Sequence, residues 1–284
     1  MEGFEREEGR MEASSLRRRT KVSGGEVAYE VFGEGPPLVL VHGTPSRAFI
    51  WRNVAPRLAE RRTVYVYDLP GFGESGREAE RDVSIAGQAR ALAGLVEAWG
   101  LTRPAVAGHD IGGGIALRAH LLEGVEIERL ALLDPVILTP WGTPTLKHVK
   151  ANLETYRSMP PGPFEAIVAS HLRTAASRPL APEAHEAYLS QWRGEEGKRA
   201  YLSKDAQLAE KDTRELEPLL ASVAVPVRII WGEEDAWLDP ALGERLRQEI
   251  PGSELELVAG AGHFVMEDAP ETVAAELSRF FGAA

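Results

Sequence analysis

The nine residues that begin at Val106 read Val-Ala-Gly-His-Asp-Ile-Gly-Gly-Gly, and they constrain the fold more than any other stretch. Residues 103–107 are short and apolar, as a buried strand should be, whereas residues 115–122 repeat apolar side chains at helical spacing. A glycine lies two residues either side of Asp110, and glycine permits the backbone conformation and close packing of a sharp turn. The sequence therefore predicts a strand-to-helix turn that carries one carboxylate.

A carboxylate at such a turn has two interpretations. Asp is a good N-cap residue, so Asp110 could simply cap the following helix. The spacing small-x-Asp-x-small also matches the nucleophile elbow, in which a reactive side chain stands on a tight strand-to-helix turn. In this respect the chain resembles the α/β-hydrolase superfamily, with Asp where lipases carry Ser, and specifically its aspartate-nucleophile branch of epoxide hydrolases and haloalkane dehalogenases.

The composition excludes several classes of function. The 284 residues are 44% hydrophobic and 26% charged, which is typical of one large domain or of a core with an insertion. The net charge of −11 argues against nucleic acid or an anionic membrane as a partner. The absence of cysteine excludes disulfides, thiolate metal sites and cysteine nucleophiles. No apolar run approaches the roughly 20 residues of a membrane span, so we expect a cytoplasmic protein.

Strand-like and helix-like segments alternate along most of the chain. The mostly charged residues 1–21 are expected to form a poorly ordered leader. Between residues 136 and 217 the alternation stops, and helical patterns with loops rich in proline and glycine predict an inserted helical cap. Residues 22–135 and 218–284 are then the α/β core. The resemblance implies a mostly parallel eight-stranded sheet flanked by helices.

Further apolar runs predict the strands of this core. They lie at residues 26–32, 37–41, 63–67, 130–133, 225–232 and 255–258, the first of them expected at the sheet edge.

Two further polar residues follow predicted strands and complete a catalytic trio with Asp110. Asp235 lies in Trp-Gly-Glu-Glu-Asp and His263 in Gly-Ala-Gly-His, in the chain order nucleophile, acid, histidine. Ligand sites in open α/β sheets lie beyond the carboxyl ends of the strands, where all three residues are expected. Asp134 also follows a strand, and since some dehalogenases place their acid there, it is the reserve for Asp235.

The change from Ser to Asp alters the chemistry. With an ordinary pKa near 3.9, Asp110 is ionised at neutral pH and needs no base to activate it. Attack on an ester would give a reactive anhydride, whereas attack on saturated carbon opens an epoxide or expels a halide. The resemblance implies that His263 then activates water, that Asp235 orients His263, and that the backbone N–H groups of Thr44 and Ile111 form an oxyanion hole.

The leaving atom separates the two reactions. Haloalkane dehalogenases bind halide with a Trp after the nucleophile and an Asn or second Trp, whereas this chain has Ile111 and Thr44 at those positions. An epoxide needs an O–H donor, usually a cap tyrosine, and Tyr201 lies where epoxide hydrolases carry one. Tyr156, Tyr188 and His171 stay open as a second donor.

The substrate pocket is expected to include His42 and three aromatic residues of the cap. His42 should shape its loop rather than carry a proton, and the aromatic residues are Trp141, Tyr156 and Trp192. We expect a small apolar organic substrate and water as partners, no cofactor and no metal, with a homodimer left open. Epoxide hydrolysis to a diol is the preferred function, ahead of dehalogenation, then ester or lactone hydrolysis, or a non-catalytic binding scaffold.

Overall fold

The computed structural model describes residues 16–22, 25–77 and 81–282. Eight strands form one sheet in the order β1-β2-β4-β3-β5-β6-β7-β8. The first two pairings, β1 with β2 and β2 with β4, are antiparallel, and the other five are parallel. The predicted mostly parallel eight-stranded sheet is therefore confirmed. The strands are β1 Arg18–Val22, β2 Gly25–Phe32, β3 Pro37–Val41, β4 Thr63–Tyr67, β5 Ala105–His109, β6 Leu130–Leu133, β7 Val227–Gly232 and β8 Glu254–Val258.

The central strands are almost entirely apolar because both faces of the sheet are covered, with His109 in β5 and Arg228 in β7 as the exceptions. Every residue of β5, β6 and β7 is buried, which matches the continuous apolar runs in the sequence. Their carboxyl ends lie side by side, so the residues that follow them meet at one edge of the sheet. Asp110, Asp134 and Asp235 come directly after or close behind these three strands.

The predicted disordered leader is wrong for residues 16–21. Strand β1 pairs with β2 in an antiparallel hairpin and takes the sheet edge that was assigned to residues 26–32. The side chain of Leu16 is buried, Arg18 pairs with Glu30 at 3.2 Å, and Arg19 pairs with Glu74 at 3.1 Å. Its many charged residues suggested a poorly ordered leader, but charged side chains are also typical of an exposed edge strand. The rest of the predicted leader, residues 1–15, lies outside the described residues.

Helices flank the sheet and fill the segment between β6 and β7. Helix α2 begins after Ser84, whose hydroxyl accepts a hydrogen bond from the Gly87 N–H, and it packs against α3. Helix α12 packs against α1. The core helices are α1 Ala55–Leu58, α2 Ile85–Ala98, α3 Ile111–Leu122, α10 Ala241–Glu249, α11 Val265–Asp268 and α12 Pro270–Gly282, with a 3₁₀ helix at Ala48–Trp51.

The chain from residue 134 to residue 226, all of it described, is helical and contains no strand. We call residues 136–217 the helical insert. Within it, α8 contacts α4, α5 and α6, while α7 contacts α6 and the 3₁₀ helix of the core. The helices of the insert are α4 Pro144–Ala151, α5 Leu153–Ser158, α6 Pro161–Leu172, α7 Pro182–Ser190, α8 Gly194–Gln207 and α9 Lys211–Arg214. A 3₁₀ helix at Glu217–Ser222 leads from the insert towards β7.

None of the helices in the described part of the chain has the length and hydropathy needed to cross a membrane.

The turn between β5 and α3 leaves no room for a side chain at Gly108. A Cβ there would lie 2.3 Å from the Gly112 carbonyl oxygen, which is backbone and cannot move aside. We expect Gly108→Ala to destabilise the fold by about 1–3 kcal/mol, as other overpacking substitutions do. Urea denaturation measures this change.

Gly162→Ala is the matched control, since a Cβ at Gly162 in α6 meets no atom within 4 Å. We expect it to be neutral or to stabilise by up to ~1 kcal/mol, because alanine is the better helix former. Equal effects of the two substitutions would contradict the packing described for the turn.

Candidate active site

Asp110 stands on a strained turn, as the sequence predicts. Its φ of 54° and ψ of −125° lie outside the regions that non-glycine residues ordinarily adopt. Three backbone hydrogen bonds hold this conformation: its N–H donates to the Leu133 carbonyl at 3.1 Å, and its own carbonyl accepts from Gly113 and Val136, each at 3.0 Å. The side chain makes no capping hydrogen bond to α3, so the interpretation of Asp110 as a helix cap is not supported. Its carboxylate is free to face the cavity.

His263 lies between the other two members of the trio. Its Nδ1 is 2.8 Å from Asp235 Oδ2, and its Nε2 is 3.8 Å from Asp110 Oδ1. Nε2 has no hydrogen-bond partner among the described residues. A nitrogen without a partner beside a carboxylate can take a proton from a water molecule placed between them.

Two acidic residues compete for the role of orienting acid, and their contacts differ. Asp235 receives N–H donors from Trp237 at 2.8 Å and Leu238 at 3.0 Å on Oδ1, so its Oδ2 points at His263. Asp134 Oδ1 accepts from the Gly232 N–H at 2.8 Å, and its Oδ2 has no partner in the described chain. Burial and the charge of Asp235 raise the pKa of Asp134 well above its ordinary value. The arrangement favours Asp235 over the reserve Asp134.

The protonation of His263 follows from its surroundings. Burial alone would lower the pKa of the imidazole, but the carboxylates of Asp235 and Asp110 outweigh it and raise the pKa well above the usual value. The site therefore stabilises the imidazolium that forms when His263 accepts a proton.

One backbone N–H group lies near the carboxylate of Asp110, and a second belongs to the next residue in the chain. The Thr44 N–H points at Asp110 Oδ2 from 3.4 Å, and Ile111 opens α3, whose first N–H groups have no partner inside the helix. A Cβ on Gly43 would lie 2.3 Å from Asp110 Cβ, so glycine is required for this close approach of the two loops. The two predicted oxyanion-hole residues thus lie beside Asp110.

A small cavity lies over Asp110 and His263, and the helical insert supplies much of its lining. Its volume is about 40 Å³, which is room for about three waters. Apart from these two residues, the lining residues are Thr44, Pro45, Ile111, Val136, Trp141, Gly142, Thr143, Leu146, His171, Tyr201, Lys204, Asp205, Leu208, Trp237 and Leu238. Two predicted cap residues, Trp141 and Tyr201, are therefore brought to the site.

Three other predicted pocket residues do not line this cavity. His42 is a loop-shaping residue: its Nε2 accepts from the Leu69 N–H at 2.9 Å and its Nδ1 donates to the Gly43 carbonyl at 2.9 Å. Burial lowers the pKa of His42 to about 4, so the ring is neutral. The indole of Trp192 donates to the Pro45 carbonyl at 2.9 Å, and Tyr156 packs edge-on against Phe164.

The two remaining candidates for the second proton donor, Tyr188 and His171, differ in whether they line the cavity. Tyr188 donates its hydroxyl to Glu267, away from the cavity. His171 lines the cavity and stacks on Trp237 with ring centroids 4.2 Å apart. Burial, with the positive charges of Lys204 and of protonated His263, lowers the pKa of His171 to about 4, so it carries a neutral imidazole.

Sequence reasoning missed four residues at the site. His109, directly before Asp110, binds the His263 carbonyl through its Nε2 at 2.9 Å and so fixes the loop of His263. Trp237, Lys204 and Asp205 line the cavity. The position of Trp237, two residues after Asp235, could have indicated that it lies near the site. Lys204 and Asp205 lie in a polar helix, and nothing in their sequence positions indicates a place in the cavity.

One group of potential metal ligands is found among the described residues, formed by Asp134, Asp235 and His263. The His263 Nδ1 is only 2.8 Å from Asp235 Oδ2, which is a hydrogen-bonding distance. A tetrahedral ion with bonds of about 2.0–2.2 Å would hold these two atoms roughly 3.4 Å apart, which is farther than they lie here. The hydrogen bond between Asp235 and His263 accounts for their closeness.

The acid assignment is tested by comparing Asp235→Asn with Asp134→Asn. Removing the Asp235 charge takes away the largest contribution that raises the pKa of His263, so this pKa should fall, and turnover should drop by ~10³–10⁴-fold. Asp134→Asn should affect both quantities less, because Asp134 bonds to a backbone N–H and not to His263. NMR titration of the His263 ring gives the pKa. A larger effect of Asp134→Asn would assign the role to Asp134.

The chain is similar to characterised and solved proteins over most of its length. Residues 38–276 match the model of the alpha/beta hydrolase family. An alpha/beta hydrolase fold protein from Burkholderia ambifaria is 37% identical, with a TM-score of 0.89 over 92% of this chain and 97% of that one. Haloalkane dehalogenase 2 of Mycobacterium bovis is 29% identical over 92% of this chain and 93% of its own. A soluble epoxide hydrolase of Corynebacterium sp. is 34% identical over 44% of each chain.

The family match spans the sheet from β3 to β8, the turn at Asp110, the helical insert and the loop of His263, which together make up most of the described structure. The chain belongs to the alpha/beta hydrolase family.

Proposed function

We propose that this hydrolase acts by covalent catalysis with Asp110 as nucleophile, and that its reaction is the opening of an epoxide to a diol. One observation carries the proposal: the elbow presents a carboxylate with one oxygen 3.4 Å from a backbone N–H and the other 3.8 Å from the His263 imidazole. An ionised carboxylate is ready for displacement at saturated carbon, and the imidazole is placed to act in the second step.

In the first step, an oxygen of Asp110 attacks an epoxide carbon and a carbon–oxygen bond of the ring breaks. The product is an alkyl ester of Asp110 that bears an alkoxide, which takes a proton from the Tyr201 hydroxyl. Burial, together with the charge of Asp205, raises the pKa of Tyr201 above its ordinary value, so this hydroxyl is protonated at neutral pH.

In the second step, His263 removes a proton from water and the oxygen attacks the carboxyl carbon of Asp110. The N–H groups of Thr44 and Ile111 stabilise the oxyanion, an effect worth roughly 3–4 kcal/mol for one such donor. The ester bond then breaks, the acid proton on Asp110 goes to the departing alkoxide, and the proton on His263 returns to Tyr201 through solvent. The sum is epoxide plus water giving diol.

The indole groups of the cavity favour an epoxide over a halide. Trp141 Nε1 donates to Thr213 Oγ1 at 2.7 Å, and Trp237 Nε1 donates to Thr174 Oγ1 at 2.9 Å. Each indole has only one N–H, so neither is available to bind a departing halide. Tyr201 lines the same cavity and can serve an alkoxide.

Carbon–halogen hydrolysis is the second candidate. Its support is the similarity to haloalkane dehalogenase 2, which extends over 92% of this chain, and the presence of a cation, Lys204, in the cavity wall. Ester or lactone hydrolysis is less consistent with a carboxylate at the elbow, and a purely binding role does not account for the base beside it.

Oxygen labelling tests the covalent step. A single turnover in heavy-oxygen water should place the label on Asp110, because water attacks its carboxyl carbon. His263→Gln should accumulate an adduct of substrate mass on the protein, whereas the exposed His148→Gln should not. Mass spectrometry of intact protein and peptides measures both. An active enzyme with unlabelled Asp110 would exclude the mechanism.

Tyr201→Phe distinguishes the two leaving groups. Removing the proton donor should slow epoxide opening by ~10²–10⁴-fold, but it should slow halide release much less, because halide leaves without a proton. Turnover is followed as diol and halide release from matched epoxides and bromo- or chloroalkanes. Tyr156→Phe is the control, since Tyr156 does not line the cavity. Halide release with no diol from any epoxide would make dehalogenation the function.

A further inference from the structure

An ion pair that the proposed mechanism leaves unused lies in the wall of the cavity. Lys204 and Asp205, adjacent on α8, both line the cavity, and Lys204 Nζ is 2.6 Å from Asp205 Oδ1. Their side chains are only 4% and 1% exposed. Neither oxygen of Asp205 forms a well-aligned hydrogen bond with any described residue. The pair is thus held by charge and lacks the full set of hydrogen bonds that a buried pair normally has.

A contribution to the stability of the fold does not explain the Lys204–Asp205 pair. Burying two charges costs several kcal/mol per ion, and the attraction between them recovers this cost only when good geometry and further hydrogen bonds are present. The ammonium of Lys204 is stabilised by the ring of Tyr201, whose centroid is 3.7 Å away, and more weakly by Trp192 at 5.7 Å. These contacts keep a cation at the cavity surface with donors to spare, since an ammonium has three.

We propose that Lys204 binds the carboxylate of a short substrate whose other end reacts with Asp110. This assignment of a substrate class rests on the proposed function. It replaces the expected apolar substrate by an anionic one of a few carbon atoms, a size that agrees with the cavity of about 40 Å³.

Lys204 is the cation that an anionic substrate group would meet at this end of the cavity. A substrate carboxylate is repelled by ionised Asp110, so it needs a cation, and of the described residues that line the cavity only Lys204 carries an amine or guanidinium group. A cationic substrate group would have to compete with Lys204 for Asp205 at 2.6 Å. An apolar group would cover both charges without a compensating hydrogen bond.

The test uses a pair of unreactive probes, propionate and propionamide, which are similar in shape and differ in charge. Isothermal calorimetry should show that the unmodified protein prefers propionate by at least about tenfold. Lys204→Met should remove this preference while propionamide binding changes little. Lys147→Met, which removes an exposed lysine from α4 of the same insert, should keep it. Circular dichroism verifies the fold, and Lys204→Gln is the second variant should Lys204→Met not fold.

Equal binding of the two probes, or a preference for propionate that persists without Lys204, overturns the proposal. Tighter binding of propylamine than of propionate also overturns it, because the pair would then select a cation. Turnover of glycidate against glycidamide separates this inference from the proposed function. Labelled Asp110 without a charge preference would reject only the role of Lys204, and a charge preference without labelled Asp110 would reject only the covalent mechanism.

Discussion

The tight turn between β5 and α3 holds Asp110 in a left-handed backbone conformation, and the positions of the other site residues depend on it. Such a conformation costs on the order of 1–3 kcal/mol for a non-glycine residue. The hydrogen bonds that Asp110 makes to Leu133, Gly113 and Val136 tie the turn to β6 and to the start of the insert. The strain is therefore shared by the sheet, and the carboxylate points into the cavity instead of capping α3.

Electrostatics then assigns a role to each charged group. Asp110, Asp134 and Asp235 are all buried near His263, and three buried carboxylates cannot all be ionised cheaply. Burial and the charge of Asp235 raise the pKa of Asp134, while Asp235 keeps two N–H donors and the imidazole. Asp134 is thus best placed to be the protonated member, held by the Gly232 N–H, while Asp235 keeps its contact with the imidazole of His263.

The helical insert determines what can reach this site. It lines the cavity with the rings of Trp141, His171 and Tyr201 and with the charged pair Lys204–Asp205. This side of the cavity is therefore mostly aromatic, with one charged position. The indole N–H groups of Trp141 and Trp237 donate to the hydroxyls of two threonines of the insert. Proton donation by Tyr201 and anion binding by Lys204 would then occupy neighbouring turns of the same helix, α8, which couples the two proposals physically.

The sequence alone was sufficient for the fold and for the order of the trio, because these depend on local patterns. Apolar runs identified the parallel strands, the glycines around Asp110 identified the turn, and strand ends located Asp235 and His263 at one edge of the sheet. Only the tertiary structure could decide which insert residues face Asp110. Helical spacing shows that a side chain is on one face, but the packing of α8 against α4, α5 and α6 selects the face, placing Lys204 in the cavity and leaving Tyr156 outside its lining.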